Sequence, residues 1–285
     1  MFYGKSIFNL LKTAERFLKS KGICESKSDA QVVLSFVLNI KRQELFFRGS
    51  LKPTYEQISK FKDYILRRSE GEPVAYITGF AGFMGFEFKV NNNVLIPRPE
   101  TEILVERVLE FADMRSKWSV LDLCTGSGCI AVALAKLGVF ENITASDISE
   151  NAINIAKENA QINNAININF VKSDIFDGIS GDNFDIIVSN PPYVSEEEYC
   201  ILKNELKFEP KNALVAKNSG LFFYREISNR ACRYLKNTGI VFLELNANKA
   251  YEIRSIFLDS PYYKNLRIVK DYAGLPRVLE AEINI

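Results

Sequence analysis

From Trp118 onward, short apolar runs alternate with helical patterns, and this alternation leaves few folds open to the chain. Ser119 to Leu123, Ile143 to Ser146, Ile168 to Val171, Phe184 to Ser189 and Ile240 to Leu245 read as strands. They are separated by residues spaced as in helices near 128 to 137, 149 to 163, 220 to 236 and 247 to 258. Parallel neighbours need a crossover between them, and a helix supplies it, so the pattern predicts an α/β fold with a mostly parallel sheet and helices on both faces. Two late extended runs, Leu266 to Val269 and Arg277 to Ile283, predict a terminal antiparallel pair.

The N-terminal region has a different period. Ile7, Leu10, Leu11, Ala14, Phe17 and Leu18 recur at three and four, as do Ala30, Val33, Leu34, Val37 and Leu38, and then Ile58, Phe61 and Ile65. Gly22, Gly49 and Pro53 punctuate these stripes and Ser28 or Thr54 can cap them, so a small helical bundle is expected over residues 1–72. After Gly71-Glu72-Pro73 the period falls to two. Phe86, Phe88 and Val90 alternate with polar residues, Asn91-Asn92-Asn93 has turn chemistry, and Val94-Leu95-Ile96 resumes an extended run. A hairpin linker over 73–100 is expected, leading by way of Pro97 and Pro99 into the main domain, 101–285. Such a segment either lines a site or serves as a stiff connector; its spacing favours the connector.

Composition narrows the chemistry. The apolar share of 47% and charged share of 25% are those of a globular protein with a sizeable core. A net charge of +1 argues against a broad electrostatic footprint for nucleic acid, and neither a nucleic-acid substrate nor a membrane partner is expected. There is no histidine, which removes imidazole both as a base and as a metal ligand, and no metal is expected. The five cysteines are scattered without a Cys-x-x-Cys pair, as in a reducing compartment, so a cytoplasmic location is expected.

In open α/β sheets ligands lie beyond the carboxyl ends of the strands, and the candidate polar residues fall there. After the first strand, Gly126-Ser127-Gly128 permits a tight turn at a helix start. Asp147 follows the second, able to accept from two ribose hydroxyls or to cap the next helix. Asp174 and Ile175 follow the third, suited to an adenine amino group and ring face or to a plain surface turn. Asn190-Pro191-Pro192-Tyr193 follows the fourth. A planar NH2 group is a poor nucleophile because its lone pair is delocalised, so an enzyme alkylating it must hold it by hydrogen bonds that leave that pair free. The Asn190 oxygen and a neighbouring backbone carbonyl can accept the two N–H bonds, proline adds no competing donor, and Tyr193 offers a ring face. A hydride-transfer dehydrogenase has no use for this clamp; a methyltransferase does.

These residues resemble the class I S-adenosylmethionine-dependent methyltransferases. More narrowly the chain resembles the bacterial peptide chain release factor glutamine methyltransferases (the HemK/PrmC family), over nearly its whole length. Gly71 to Gly79, Val94 to Glu102 and Asp271-x-Ala273-Gly274-x-x-Arg277 carry the narrower resemblance. It implies a Rossmann-like methyltransferase domain preceded by a helical region that docks on class I release factors, and methylation of the Gly-Gly-Gln glutamine in those factors. Cys124, Thr125, Gly126, Ser127, Gly128, Asp147, Asp174, Ile175 and Asn190 would contact S-adenosylmethionine. Asn190, Pro191, Pro192 and Tyr193 would hold the glutamine, with Asn190, Pro191 and Tyr193 carrying catalysis. Cys124 stands where the family usually has glycine, a change that requires a negative φ there. Glu244-Leu245-Asn246-Ala247-Asn248-Lys249 replaces a usual Glu-x-Gly-x-x-Gln, leaving the geometry of that loop open. The competing readings are a nucleic-acid adenine methyltransferase acting on a flipped base and a non-catalytic protein that binds a translation factor.

Overall fold

Apolar residues three and four apart fold the N-terminal region into helices: Ile7–Ser20 (α1), Ser26–Leu38 (α2), Glu44–Phe47 (α3), Tyr55–Ser69 (α4) and Val74–Thr78 (α5). The computed structural model describes residues 2, 4–112, 117–181 and 183–284. Leu10, Ala14 and Leu18 of α1, Ala30, Val33 and Leu34 of α2, and Ile58, Phe61 and Ile65 of α4 close one core. Thr54 caps α4 by a reciprocal box with Gln57, at 3.2 and 2.9 Å. Ser28 caps nothing: the Asp29 N–H already bonds the Glu25 carbonyl at 2.9 Å, so α2 has begun before Ser28 and starts at Ser26. The buried Arg68 pairs with Asp29 at 2.6 Å and with Glu205 at 3.1 Å, and residues Lys203–Phe208 accordingly belong to this unit, which otherwise spans Met1–Gly79.

The second unit comprises Phe80–Leu202 and Glu209–Ile285. It opens with a hairpin whose partners differ from those expected. Phe80–Phe83 (β1) pairs antiparallel with Phe86–Lys89 (β2). The turn residues Met84 and Gly85 both have positive φ, +50° and +79°, as a two-residue primed turn requires. Asn91 to Asn93 form instead a local turn, with the Asn93 N–H bonded to Asn91 Oδ1 at 2.9 Å, and residues 94–96 are not in a strand.

There follow Pro99–Phe111 (α6), Trp118–Leu123 (β3), Cys129–Leu137 (α7), Phe140–Asp147 (β4), Glu150–Ile162 (α8), Ile168–Lys172 (β5) and Phe184–Ser189 (β6). Short helices Glu196–Cys200 (α9) and Lys211–Leu214 (α10) precede Phe222–Arg230 (α11), Leu235–Glu244 (β7), Ala250–Leu258 (α12), Tyr263–Lys270 (β8) and Pro276–Ile283 (β9). The helix expected to reach 236 ends sooner, because Leu235 pairs with Phe184 and opens β7.

The sheet order is β5-β4-β3-β6-β7-β9-β8; β3 to β7 run parallel, and β9 is antiparallel to both β7 and β8. Side chains alternate across it, so one sequence of strands builds two cores. Val120, Ile186, Val188, Ile240 and Phe242 pack on the α6 and α7 side with Leu104, Val108 and Leu134. Leu121, Leu123, Ile187, Val241 and Leu243 pack on the opposite side with Tyr224, Ile227, Ile253 and Phe257. The chain winds outward from β3 in one direction and from β6 in the other, which leaves a crevice between the carboxyl ends of those two neighbours.

Candidate active site

A cleft of about 690 Å³, open mouth included, lies at this crevice. Its walls carry Cys124 and Gly126 after β3, Asp147 at the end of β4, Asp174 and Ile175 after β5, and Asn190 and Pro192 after β6. Asn212, Ala213 and Phe223 add a wall from the region after α9. Asn93, Val94 and Leu95 line the cleft as well, so the segment before α6 lines it besides connecting the hairpin to the sheet. The buried Glu209 holds that segment, accepting the Ile96 N–H at 3.1 Å and pairing with Arg98. Thr125, Ser127, Gly128, Pro191 and Tyr193 are not among the lining residues.

The glycine loop is a turn whose amides serve the protein itself. The Thr125 N–H donates to the Ser146 carbonyl at 2.9 Å, the Gly126 N–H to Asp147 Oδ2 at 2.9 Å, and the Gly128 N–H to the Thr125 carbonyl at 2.8 Å. A dinucleotide pyrophosphate would need those donors. Gly128 has φ +78°, and a Cβ there would stand 2.9 Å from that of Ala156, so its role is the close approach of α7 to α8. The Thr125 hydroxyl turns inward to Asp122 Oδ2 at 2.6 Å. Asp122 is fully buried and its Oδ1 is unpartnered; burial pushes its carboxyl up to about 7, against the Thr125 bond.

Two wall residues have backbones that suit glycine. Cys124 has φ +59°, where the sequence reading required a negative value. Its replacement of glycine is therefore strained, because an L side chain there crowds its own carbonyl. Ile175, buried and β-branched, has φ +50°. Ser173 holds this turn, its hydroxyl donating to the Ile175 carbonyl and accepting from the Gly178 N–H, both at 2.9 Å.

Asp147 accepts the Gly126 N–H on Oδ2 and the Ser149 N–H on Oδ1, each at 2.9 Å. Each oxygen keeps a further lone pair, so the carboxylate is oriented and still able to accept from a diol. Burial raises its pKa and the backbone donors oppose that rise. The helix-cap alternative falls to Ser149, which accepts the Ala152 N–H at 3.2 Å. Asp174 is exposed at the rim.

Around Asn190 lies a set of partners distant in sequence. Asn190 Nδ2 donates to Thr101 Oγ1 at 3.1 Å, and that hydroxyl donates to Glu244 Oε2 at 2.6 Å. The Tyr193 hydroxyl donates to Glu244 Oε1 at 3.3 Å, and the buried Tyr224 hydroxyl donates to the Glu244 carbonyl at 2.8 Å. Thr101 lies in the Val94 to Glu102 segment and Glu244 opens the Glu244 to Lys249 loop, but local spacing carries no signal that Thr101 meets Asn190 or that Glu244 meets Thr101. Gly220 was missed likewise: at φ +87°, a Cβ would overlap the Tyr193 carbonyl. The loop after Glu244 is well seated, with Asn246 Oδ1 accepting the Asn248 N–H at 3.1 Å and Lys249 Nζ donating to the Ser219 carbonyl at 2.7 Å and Glu198 at 3.0 Å. Among the described residues no cluster of potential metal ligands occurs, and no helix is long and apolar enough to cross a membrane.

Comparison with known proteins places these features in a lineage. Residues 9–79 match the model of the PrmC N-terminal domain and residues 99–219 that of the methyltransferase small domain. A release factor glutamine methyltransferase from Fusobacterium nucleatum is 39% identical over 97% of this chain and 78% of its own length. One from Chlorobaculum tepidum is 36% identical over 96% of both chains. Among solved structures, a methyltransferase from Pyrococcus furiosus superposes with a TM-score of 0.55 at 21% identity, covering 80% of this chain and 100% of that one. A T. thermophilus 16S rRNA N2 G1207 methyltransferase, solved with AdoMet and guanosine, gives 0.54 at 21% identity over 72% of this chain and 50% of that one. These likenesses establish the class I methyltransferase fold, and the full-length matches establish that this chain belongs to the release factor glutamine methyltransferase family.

Proposed function

We propose that the protein transfers the methyl group of S-adenosylmethionine to the side-chain amide nitrogen of the Gly-Gly-Gln glutamine in class I peptide chain release factors. The observation that carries this reading is the pairing, in one cleft, of an oriented diol acceptor, Asp147, with the Asn190 amide beyond β6. The donor fits the residues present. Asp147 has spare lone pairs for a ribose, Ile175 and Leu95 supply apolar walls for an adenine, and Asp174 can accept from its amino group. When bound, the sulfonium supplies an electrophilic methyl.

The residues of the chain then act chiefly by orientation, which can supply about 7–11 kcal/mol of a barrier. Asn190 accepts one N–H of the glutamine amide and a carbonyl of the Asn190–Tyr193 segment accepts the other, so the nitrogen lone pair is left to face the donor. Positive charge growing on that nitrogen strengthens both bonds, and the proton leaves to water without a strong base. A chain without histidine suits such chemistry. In this reading the helical unit docks on the release factor, its exposed Phe8, Phe46, Phe47 and Tyr55 offering apolar contact, and the reaction takes place in the cytoplasm. Incubation with methyl-labelled S-adenosylmethionine and an unmethylated release factor, beside a Gln→Asn substrate variant, tests it. Mass spectrometry should find the label on the Gly-Gly-Gln glutamine and none on the variant; label in nucleic acid alone would replace this reading by the adenine methyltransferase.

A further inference from the structure

The Asn190 amide can perform the role assigned above only in one of two orientations. Its carbonyl must face the substrate NH2, because its own NH2 group would oppose another donor. Nothing within the Asn-Pro-Pro-Tyr segment selects between the two; the buried partners do.

We infer that Thr101 and Glu244 are positioning residues that fix the polarity of the Asn190 amide. The inference rests on the function proposed above. An ionised Glu244 is only an acceptor, and it receives the Thr101 hydroxyl on Oε2 at 2.6 Å and the Tyr193 hydroxyl on Oε1 at 3.3 Å. With its proton committed to Glu244, Thr101 faces Asn190 with lone pairs alone. It therefore accepts from Nδ2, at 3.1 Å, and Oδ1 is left for the substrate. The shorter bond lies on the charged side, as expected of a charge-assisted contact. Tyr193 answers to the same carboxylate, so both flanks of the amide-holding segment take their hydrogen-bond direction from one buried group.

The relay has a pH limit. Glu244 is 1% exposed, and burial pushes its carboxyl up to about 6, opposed by the Thr101 bond and by Arg277 on β9. Arg277 is itself paired with Asp271 at 2.9 Å, and Glu100 on α6 adds a like charge. Tyr193 follows β6, Cys129 on α7 also feels the Glu244 charge, and the Tyr224 hydroxyl on α11 is occupied by the Glu244 backbone carbonyl. A protonated Glu244 can donate to Thr101, which frees the Thr101 proton to turn toward Asn190 and favours the reversed amide.

The test uses the full chain, with Thr101→Val, Thr101→Ser and Glu244→Gln. Thr101→Val keeps the side-chain shape and removes the hydroxyl. It should lower kcat about tenfold or more while the Kd of S-adenosylmethionine changes less than about threefold. Thr101→Ser should restore most of that loss. The wild-type kcat should fall below about pH 6, and Glu244→Gln should abolish that acidic limb. A second readout needs no turnover: the 15N-labelled Asn190 side-chain NH2, assigned by its loss in Asn190→Ser, should be exchange-protected in the wild type and shift with a midpoint near pH 6. Thr101→Val should remove both effects. Unchanged kcat and an unchanged Asn190 signal in Thr101→Val would overturn the relay. Absence of methyl transfer by the wild type would instead overturn the proposed function, and the NMR signal would still decide the polarity of the amide.

Discussion

Gly220→Ala isolates the backbone that carries Tyr193. At φ +87° an L residue costs about 1–2 kcal/mol from its own backbone. The added Cβ also overlaps the Tyr193 carbonyl oxygen and stands 3.1 Å from its carbon and 3.2 Å from Lys249 Nζ. The lysine can move aside cheaply. The carbonyl cannot, because the next residue is locked on both sides: the Val194 N–H bonds the Leu214 carbonyl at 2.9 Å and the Val194 carbonyl accepts the Ala216 N–H at 2.8 Å. Overpacking of this kind costs about 1–3 kcal/mol, so the sum is about 2–5 kcal/mol. At about 2–4 °C per kcal/mol for a unit of this size, the melting temperature should fall by about 4–20 °C. Relief by displacement of Tyr193 would misplace the amide-holding segment, and an error of about 1 Å can cost about 100-fold in rate. Calorimetry and single-turnover methyl transfer check this, with the Kd of S-adenosylmethionine as a control that should stay near wild type. A variant melting within 2 °C of wild type and turning over normally would refute the argument that the Tyr193 carbonyl needs a glycine opposite it.

Three further outcomes are expected. Asp147→Ala removes a pre-oriented charged acceptor and should weaken S-adenosylmethionine about 10- to 100-fold by calorimetric titration; an unchanged Kd would remove Asp147 from the ribose site. Asn190→Ala should lower kcat about 100- to 1,000-fold with little change in cofactor affinity, and unchanged turnover would contradict the clamp. The Asp122 carboxyl is raised from 3.8 to about 7, so the folded state binds a proton that the unfolded state releases. Its contribution to stability is therefore present at low pH and is lost as pH rises from about 4 to 7, on the order of 4 kcal/mol in all. Asp122→Asn should flatten that part of a urea-denaturation pH profile, and an identical slope would show that Asp122 does not titrate there.

The strands, the terminal antiparallel pair and the Thr54 cap were legible because each rests on local physics. A period of two or near 3.6 and a capping residue three before Gln57 act within a few residues. The hairpin was misread for a related reason. Three asparagines are a stronger written turn signal than Met84-Gly85, yet the register that buries Phe83 and Phe88 is the one made by the latter. The sign of φ at Cys124 was not legible at all, since a cysteine carries no mark of the backbone around it and the turn is set by the Thr125 and Gly126 amides reaching β4.

The sequence by itself determined the class of fold and the order in which candidate groups arrive at the carboxyl ends of the strands, because periodicity and turn chemistry are written along the chain. Tertiary structure alone decided which face of each group is offered. It engaged the glycine-loop amides internally, left Asp147 with acceptors to spare, and brought Thr101 onto Asn190 across 89 residues and Glu244 onto Thr101 across 143. Hydrogen-bond polarity between such distant partners depends on burial and on which lone pairs remain free, and these quantities exist only once the chain has closed around them.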